Sequence, residues 1–306
     1  MELPIVSGGM PLAARLALWL LLAGALGMAA AVLAVGLYLS SPALRVIGAP
    51  PDIPGLEPIE IASESGSTLR GWLVPGRPGG GGVVLMHGVR ADRRSMIRRA
   101  RLLHERGFAV LLFDFQAHGE SPGRRITFGH LEGRDAAAAV AFLRRRLPGE
   151  RIGAIGISLG GAAALLGPLP LPVDALVLES VYPDIDAALT DRLRASLGPV
   201  LGTLFTPLLT PLFETLLPPI LGVTLDDLRP IDRIGGVAAP VLVASGTEDR
   251  HTPIGEARAL FDQAPQPKLF WAVPGAAHVD LEAFAPAEYG RIVFPFLAEY
   301  LQRPEP

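Results

Sequence analysis

The chain has 306 residues, a formal net charge of −3, half of its residues hydrophobic, 19% charged and no cysteine. That length is ample for one large domain with its own core plus an added segment. The missing cysteines exclude disulfides and thiolate metal sites, and basic residues scattered through amphipathic stretches such as 93–106 speak against nucleic acid as a partner.

In chain order, a short tail (1–11) precedes residues 16–39, which carry no charge and at ~1.5 Å per residue reach ~36 Å, enough for a hydrocarbon core of ~30 Å. Trp19 and Tyr38 stand near its ends, where aromatics prefer the interface. The expectation is a single-pass transmembrane anchor over 12–39 and a linker over 40–56. A cleaved signal peptide is the alternative, but its apolar region normally stops at ~15 residues. Arg15 and Arg45 flank the two ends and balance each other; the short tail tilts the expectation towards a following domain outside the cytoplasm.

Strands are predicted at 57–62 and 68–74, joined as a hairpin by Ser65-Gly66-Ser67. Apolar strands at 83–86, 109–113, 152–155, 175–178, 241–244 and 269–273 then alternate with helical patterns at 93–106, 130–147, 160–166, 255–263 and 281–301. This alternation predicts an α/β domain over 57–303 with crossover connections and a mainly parallel sheet. Strands buried on both faces of such a sheet read as unbroken apolar runs, as these do.

One stretch departs from the pattern. About 60 residues separate the strands at 175–178 and 241–244, more than one crossover helix needs. Within 199–225 the only charge is Glu214, and Leu201, Leu204, Phe205, Leu208, Leu212, Phe213, Leu216 and Leu217 recur at helical spacing. Pro207, Pro211, Pro218 and Pro219 predict short kinked helices. We read an insertion at about 184–228 as an apolar cap, with Phe205 and Phe213 as substrate-binding residues. Core or dimer packing, or rest on a bilayer surface, are the alternatives.

The chemistry is carried by Gly156-Ile157-Ser158-Leu159-Gly160, a G-x-S-x-G set between a predicted strand and the small-residue run Gly161-Ala162-Ala163-Ala164. A serine at a sharp strand-to-helix turn takes strained backbone angles that only tiny neighbours tolerate. The turn lifts its hydroxyl above the sheet, in front of the positive end of the helix. A serine that merely caps the helix is the plainer alternative.

A nucleophilic serine needs a base and an acid to orient it, and in hydrolases built this way they follow the serine as acid, then histidine. Only His251 and His278 lie downstream of Ser158. His278, in Pro274-Gly275-Ala276-Ala277-His278, stands on a loop at a strand's carboxyl end, where open α/β sheets bind their ligands. His251 lies two residues from the best acid, Asp249, too close to be oriented by it. Glu179, after the strand at 175–178, is the rival acid. Backbone N–H groups of Leu159 and Val89, the latter in the loop His87-Gly88-Val89, are the candidate oxyanion donors. His87 and Asp92 also form an H-x-x-x-x-D pattern that some acyltransferases use; a histidine packed beneath the loop explains it equally well.

These residues, together with Phe113-Asp114-Phe115-Gln116-Ala117-His118-Gly119-Glu120-Ser121 and Gly246-Thr247-Glu248-Asp249, resemble the α/β-hydrolase superfamily over roughly 57–303. Within it they are similar to membrane-anchored bacterial members near the Bem46-like and serine-aminopeptidase-like groups. The resemblance implies Ser158, Asp249 and His278 as catalytic residues, Val89 and Leu159 as oxyanion donors, and structural roles for Asp114 and Gly119. It implies a serine hydrolase of esters or related acyl compounds acting on a small-molecule acyl substrate. Peptidase, amidase and acyltransferase chemistry on the same residues remain open, as does a catalytically silent membrane-tethered binding domain. No cofactor and no metal are expected, and no oligomeric state is implied.

Overall fold

The computed structural model describes residues 10–167 and 170–303; most of the expected N-terminal tail lies outside them. The chain runs α1 (Leu12–Ser40), β1 (Ala43–Leu44), β2 (Glu57–Ala62), β3 (Thr68–Val74), β4 (Gly82–Met86), α2 (Ile97–His104), β5 (Ala109–Phe113), β6 (His118–Gly119), α3 (His130–Arg146) and β7 (Ile152–Ile157). It continues through α4 (Leu159–Leu166), β8 (Ala175–Glu179), α5 (Ile185–Leu221), β9 (Val241–Gly246), α6 (Ile254–Gln263), β10 (Lys268–Val273), α7 (Leu281–Phe284) and α8 (Pro286–Leu301).

Eight strands form one sheet in the order β10-β9-β8-β7-β4-β5-β3-β2. Neighbours are parallel except at β3, which runs against both β5 and β2. Alternate side chains of each strand face opposite layers, so Leu111 and Phe113 pack with Ala136 of α3 and Ala162 of α4, while Val110 and Leu112 pack with Leu103 of α2 and Leu297 of α8. The result is the α/β-hydrolase architecture expected from the sequence, with helices on both faces. From β4 the chain turns to β5 on one side and later reaches β7 on the other. This reversal opens a crevice at the carboxyl ends of β4 and β7, where open α/β sheets hold ligands.

Two regions differ from the sequence reading. Residues 40–56 are not a free linker: β1 pairs with β6, placing Ala43 beside His118, and Ile47 and Ile53 are buried in the core layer that holds α2. Nor do the prolines break the insertion into short helices. Val200–Leu221 is continuous, and the break in α5 falls at Gly198, whose φ of 76° suits glycine. Pro207, Pro211 and Pro219 are exposed, and the helix runs through them. Both α1 and Val200–Leu221 are long and apolar enough to cross a membrane. They lie against each other, with Ile220 and Leu217 so close to Gly36 that a Cβ there would sit 3.3 Å and 3.8 Å from their methyls.

Candidate active site

The crevice begins at the turn from β7 into α4. Ser158 has φ 50° and ψ −111°, a backbone state costly for a side chain with a Cβ, and its N–H is held by the Glu179 carbonyl at 2.8 Å. The glycines are needed for clearance. A Cβ on Gly156 would stand 2.6 Å from the Gly160 carbonyl, and one on Gly160 would run into the Met86 carbonyl of β4. Helix α4 thus begins against the β4 backbone, with Ser158 at its amino end.

β9 carries Asp249 into the same crevice. Its Oδ1 accepts from the His251 and Thr252 amides at 2.8 and 2.9 Å, and its Oδ2 lies 2.8 Å from His278 Nδ1. Burial works against its charge, but the His278 hydrogen bond and the two amides outweigh burial and hold its pKa below the ordinary carboxylate value. An ionised carboxylate only accepts, so Nδ1 carries the proton and Nε2 of His278 keeps its lone pair. Ser158 and His278 line one cavity of about 370 Å³ together with Val89, Ser180, Arg192, His251 and Asp280. A smaller cavity of about 50 Å³ also touches Ser158; its other walls are mainly apolar, among them Leu39, Phe128, Tyr182, Ile185 and Leu189.

Val89 lines both cavities and Leu159 the smaller one. Among the described residues no hydrogen bond takes up either backbone N–H. Ser158 and Val89 line both cavities, so a hydroxyl and one free amide stand beside an oriented imidazole in the larger cavity and beside the second free amide in the smaller one.

The rival residues have other partners. Glu179 is fully buried, paired with Arg99 at 2.7 Å and accepting from the Tyr289 hydroxyl at 2.6 Å. His87 has no exposed surface; Phe115 N–H donates to its Nε2 at 3.2 Å, so its Nδ1–H donates to the Gly88 carbonyl at 2.8 Å. Burial, helped by His118, pushes its pKa down to about 3. It braces the loop that carries Val89. Asp92 caps the turn at Arg93–Met96 by accepting from the Arg94 amide.

The expected cap residues are elsewhere. Phe213 is buried in the core beside Leu217 and Leu221, and neither it nor Phe205 lines either cavity at Ser158. Instead the first part of α5 walls the site through Ile185, Ala188, Leu189 and Arg192. Sequence reasoning missed these four, although their i, i+3, i+4, i+7 spacing marks one helical face with a charge set in it. It also missed His251 as a wall: its ring stacks on His278 with centroids 5.2 Å apart.

A model of the family described as serine aminopeptidase, S33, matches residues 79–217. The uncharacterized protein Rv2307c of Mycobacterium tuberculosis is 32% identical over 253 residues, covering 81% of this chain and 80% of the relative. The chain belongs to the α/β-hydrolase superfamily. YfhR of Salmonella typhimurium is 28% identical to this hydrolase, over 73% of this chain and 75% of YfhR. The solved esterase Pf2001 of Pyrococcus furiosus shares its fold, with a TM-score of 0.66, 23% identity, and coverage of 84% of this chain and 99% of the esterase.

Proposed function

We propose that this hydrolase cleaves an ester of an apolar acyl chain through an acyl-enzyme on Ser158. The observation that carries the reading is the His278–Asp249 hydrogen bond, which leaves Nε2 basic in the cavity that Ser158 lines. His278 takes the Ser158 proton as Oγ bonds to the acyl carbon; the Val89 and Leu159 amides hold the oxyanion. The bond from the acyl carbon to the alcohol oxygen breaks, and His278 returns the proton to that oxygen. Water then attacks the acyl-enzyme by the same route and releases the acid.

The proton path gives the two cavities their roles. The alcohol leaves towards His278, so it occupies the larger cavity; the acyl chain takes the smaller apolar one beside Leu39 and Leu189. Each methylene drawn into that wall contributes ~0.8 kcal/mol. An aminopeptidase reading, suggested by the family description, calls for a carboxylate free to meet a substrate ammonium. Asp249 and Asp280 are engaged by His278 and Arg99, which favours ester chemistry. We further infer that α1 anchors the protein in a bilayer, its 29 residues of mean hydropathy 2.4 in the richest window being mostly exposed.

Fluorophosphonate labelling of the full chain, followed by esters of increasing acyl length, tests the reading. Labelling at Ser158 and hydrolysis that rises with chain length are expected. Absence of both sinks it in favour of a silent binding domain.

A further inference from the structure

Arg192 is the one charged member of the α5 face that walls the site, and it lines both cavities at Ser158. Among the described residues no hydrogen bond or ion pair takes up its guanidinium. The acids nearby are engaged otherwise. Asp191 lies 3.7 Å from Arg194, Asp249 is bonded to His278, and Asp280 pairs with Arg99 at 2.7 Å. Arg192 is only partly exposed, and burial lowers its pKa, with Tyr182 and Asp249 opposing the shift. An arginine stays charged even so. A cation held partly out of water with no counter-ion is costly unless a ligand supplies the opposite charge.

We propose that Arg192 is a substrate-binding residue that receives an anionic group, a carboxylate or phosphate, carried on the alcohol half of the ester. The proposal rests on the ester-hydrolase reading above and adds the substrate class. The smaller cavity is mainly apolar, its other arginine, Arg90, being engaged by the Tyr38 and Ser41 carbonyls, and it suits the acyl chain; the anion belongs to the larger one, where Ser95, Ser180 and His251 add polar wall. The planar fork of a guanidinium matches both anions with paired donors. The substrate is then an amphiphile: an apolar chain, an ester, and a negative charge a few bonds beyond it.

The test compares matched esters on the full chain in neutral detergent: the hexanoyl esters of 4-hydroxybenzoate and of 4-hydroxybenzamide, alike in shape and different in charge. The carboxylate ester is expected to have a kcat/KM about tenfold or more above the amide. Arg192→Gln should bring that ratio close to one, and Arg192→Lys should keep several-fold of it. Equal values in the unaltered protein, or a ratio untouched by Arg192→Gln, overturn the proposal. Repeating the comparison with 1-hexadecanoylglycerol 3-phosphate against 1-hexadecanoylglycerol in micelles separates sources. A preference in both systems points to a lipid headgroup, and one confined to the short esters to a soluble acid. Should no ester be cleaved, the ester reading fails, and binding of the uncleavable ether 1-O-hexylglycerol 3-phosphate against 1-O-hexylglycerol still decides the anion. Tighter binding that Arg192→Gln abolishes upholds the proposal; equal binding overturns it.

Discussion

Arg90 donates from Nη1 to the Tyr38 carbonyl at 3.0 Å, and its guanidinium lies over the Tyr38 ring at 4.6 Å. It also reaches the Ser41 carbonyl at 3.2 Å. Arg90 directly follows Val89, so the carboxyl end of α1 braces the loop that presents a proposed oxyanion donor. A chain that starts at Pro50 loses this brace, the β1–β6 pair and the Leu39 wall together. We expect its kcat/KM to fall about 10- to 100-fold, since small misplacements of a catalytic group cost that much. Arg90→Ala in the full chain should reproduce part of the loss. A Pro50 chain as active as the whole would mean the helix end is a bystander.

Ser158→Ala and His278→Ala should each lower kcat by about 10⁴-fold or more, and the double variant little further, because the groups act as a unit. Single-turnover kinetics on one activated ester measures this. Multiplying losses would show two independent contributions.

Asp249→Asn keeps the shape but presents an amide to His278 and mis-sets its tautomer, for an expected loss of about 10³- to 10⁴-fold in kcat. Glu179→Gln should act on stability instead. Removing one partner of the buried Arg99 pair costs about 3–5 kcal/mol, read as a lower Tm. A Glu179 variant that melts normally but loses turnover would move the acid to β8.

His87 makes the fold beneath Val89 sensitive to acid. Its pKa falls from 6.5 in the unfolded chain to about 3 in the fold. The unfolded chain therefore binds a proton that the native one refuses, and stability drops as pH falls from 6.5 towards 3, by about 1.4 kcal/mol per unit. Above pH 6.5 this contribution is complete. Buried Asp135, its pKa raised to about 7, works the other way over the same range, so the His87 contribution is read by difference: melting in detergent at pH 7 and pH 5 should show Tm less penalised by acid in His87→Gln than in the unaltered protein, with a lower Tm at pH 7. An identical pH response in the variant would assign the effect to other groups.

Phe213→Ala should cost about 3–5 kcal/mol through the cavity it leaves beside Leu217. The preference for acyl length should stay as it was. A changed preference would return Phe213 to the substrate wall. Leu189→Ala, by contrast, should blunt the gain in kcat/KM per methylene.

The fold was legible in this sequence because its strands are buried on both faces and so read as unbroken apolar runs, and because Gly156 and Gly160 occur where only glycine fits. The strand ends that carry Ser158, Asp249 and His278 were legible because each follows such a run. The cap was not. Its leucines and phenylalanines keep a helical period whether they face a substrate, a core or a neighbouring helix, and periodicity cannot tell these apart. Prolines misled because the backbone bonds they remove weaken a helix without ending it when its other side is packed against a core. Arg192 carried a readable signal, a charge in register with Ile185 and Leu189, but its meaning needed the cavities it faces.

The contact between Gly160 and the Met86 carbonyl has a consequence for how this enzyme can change. Val89 follows the end of β4 by three residues and Leu159 opens α4, so the two amides hang from backbones that meet at Gly160 and Met86 with no side chain between them there. Their spacing is held by this stop on one side and, on the other, by the brace of α1 at Arg90. Leu39, Leu189 and Arg192 lie outside that stop, on α1 and α5, and can be exchanged without altering that spacing. A shift in which molecules are accepted can therefore come from side chains of two helices alone, while the two candidate oxyanion donors stay where they are.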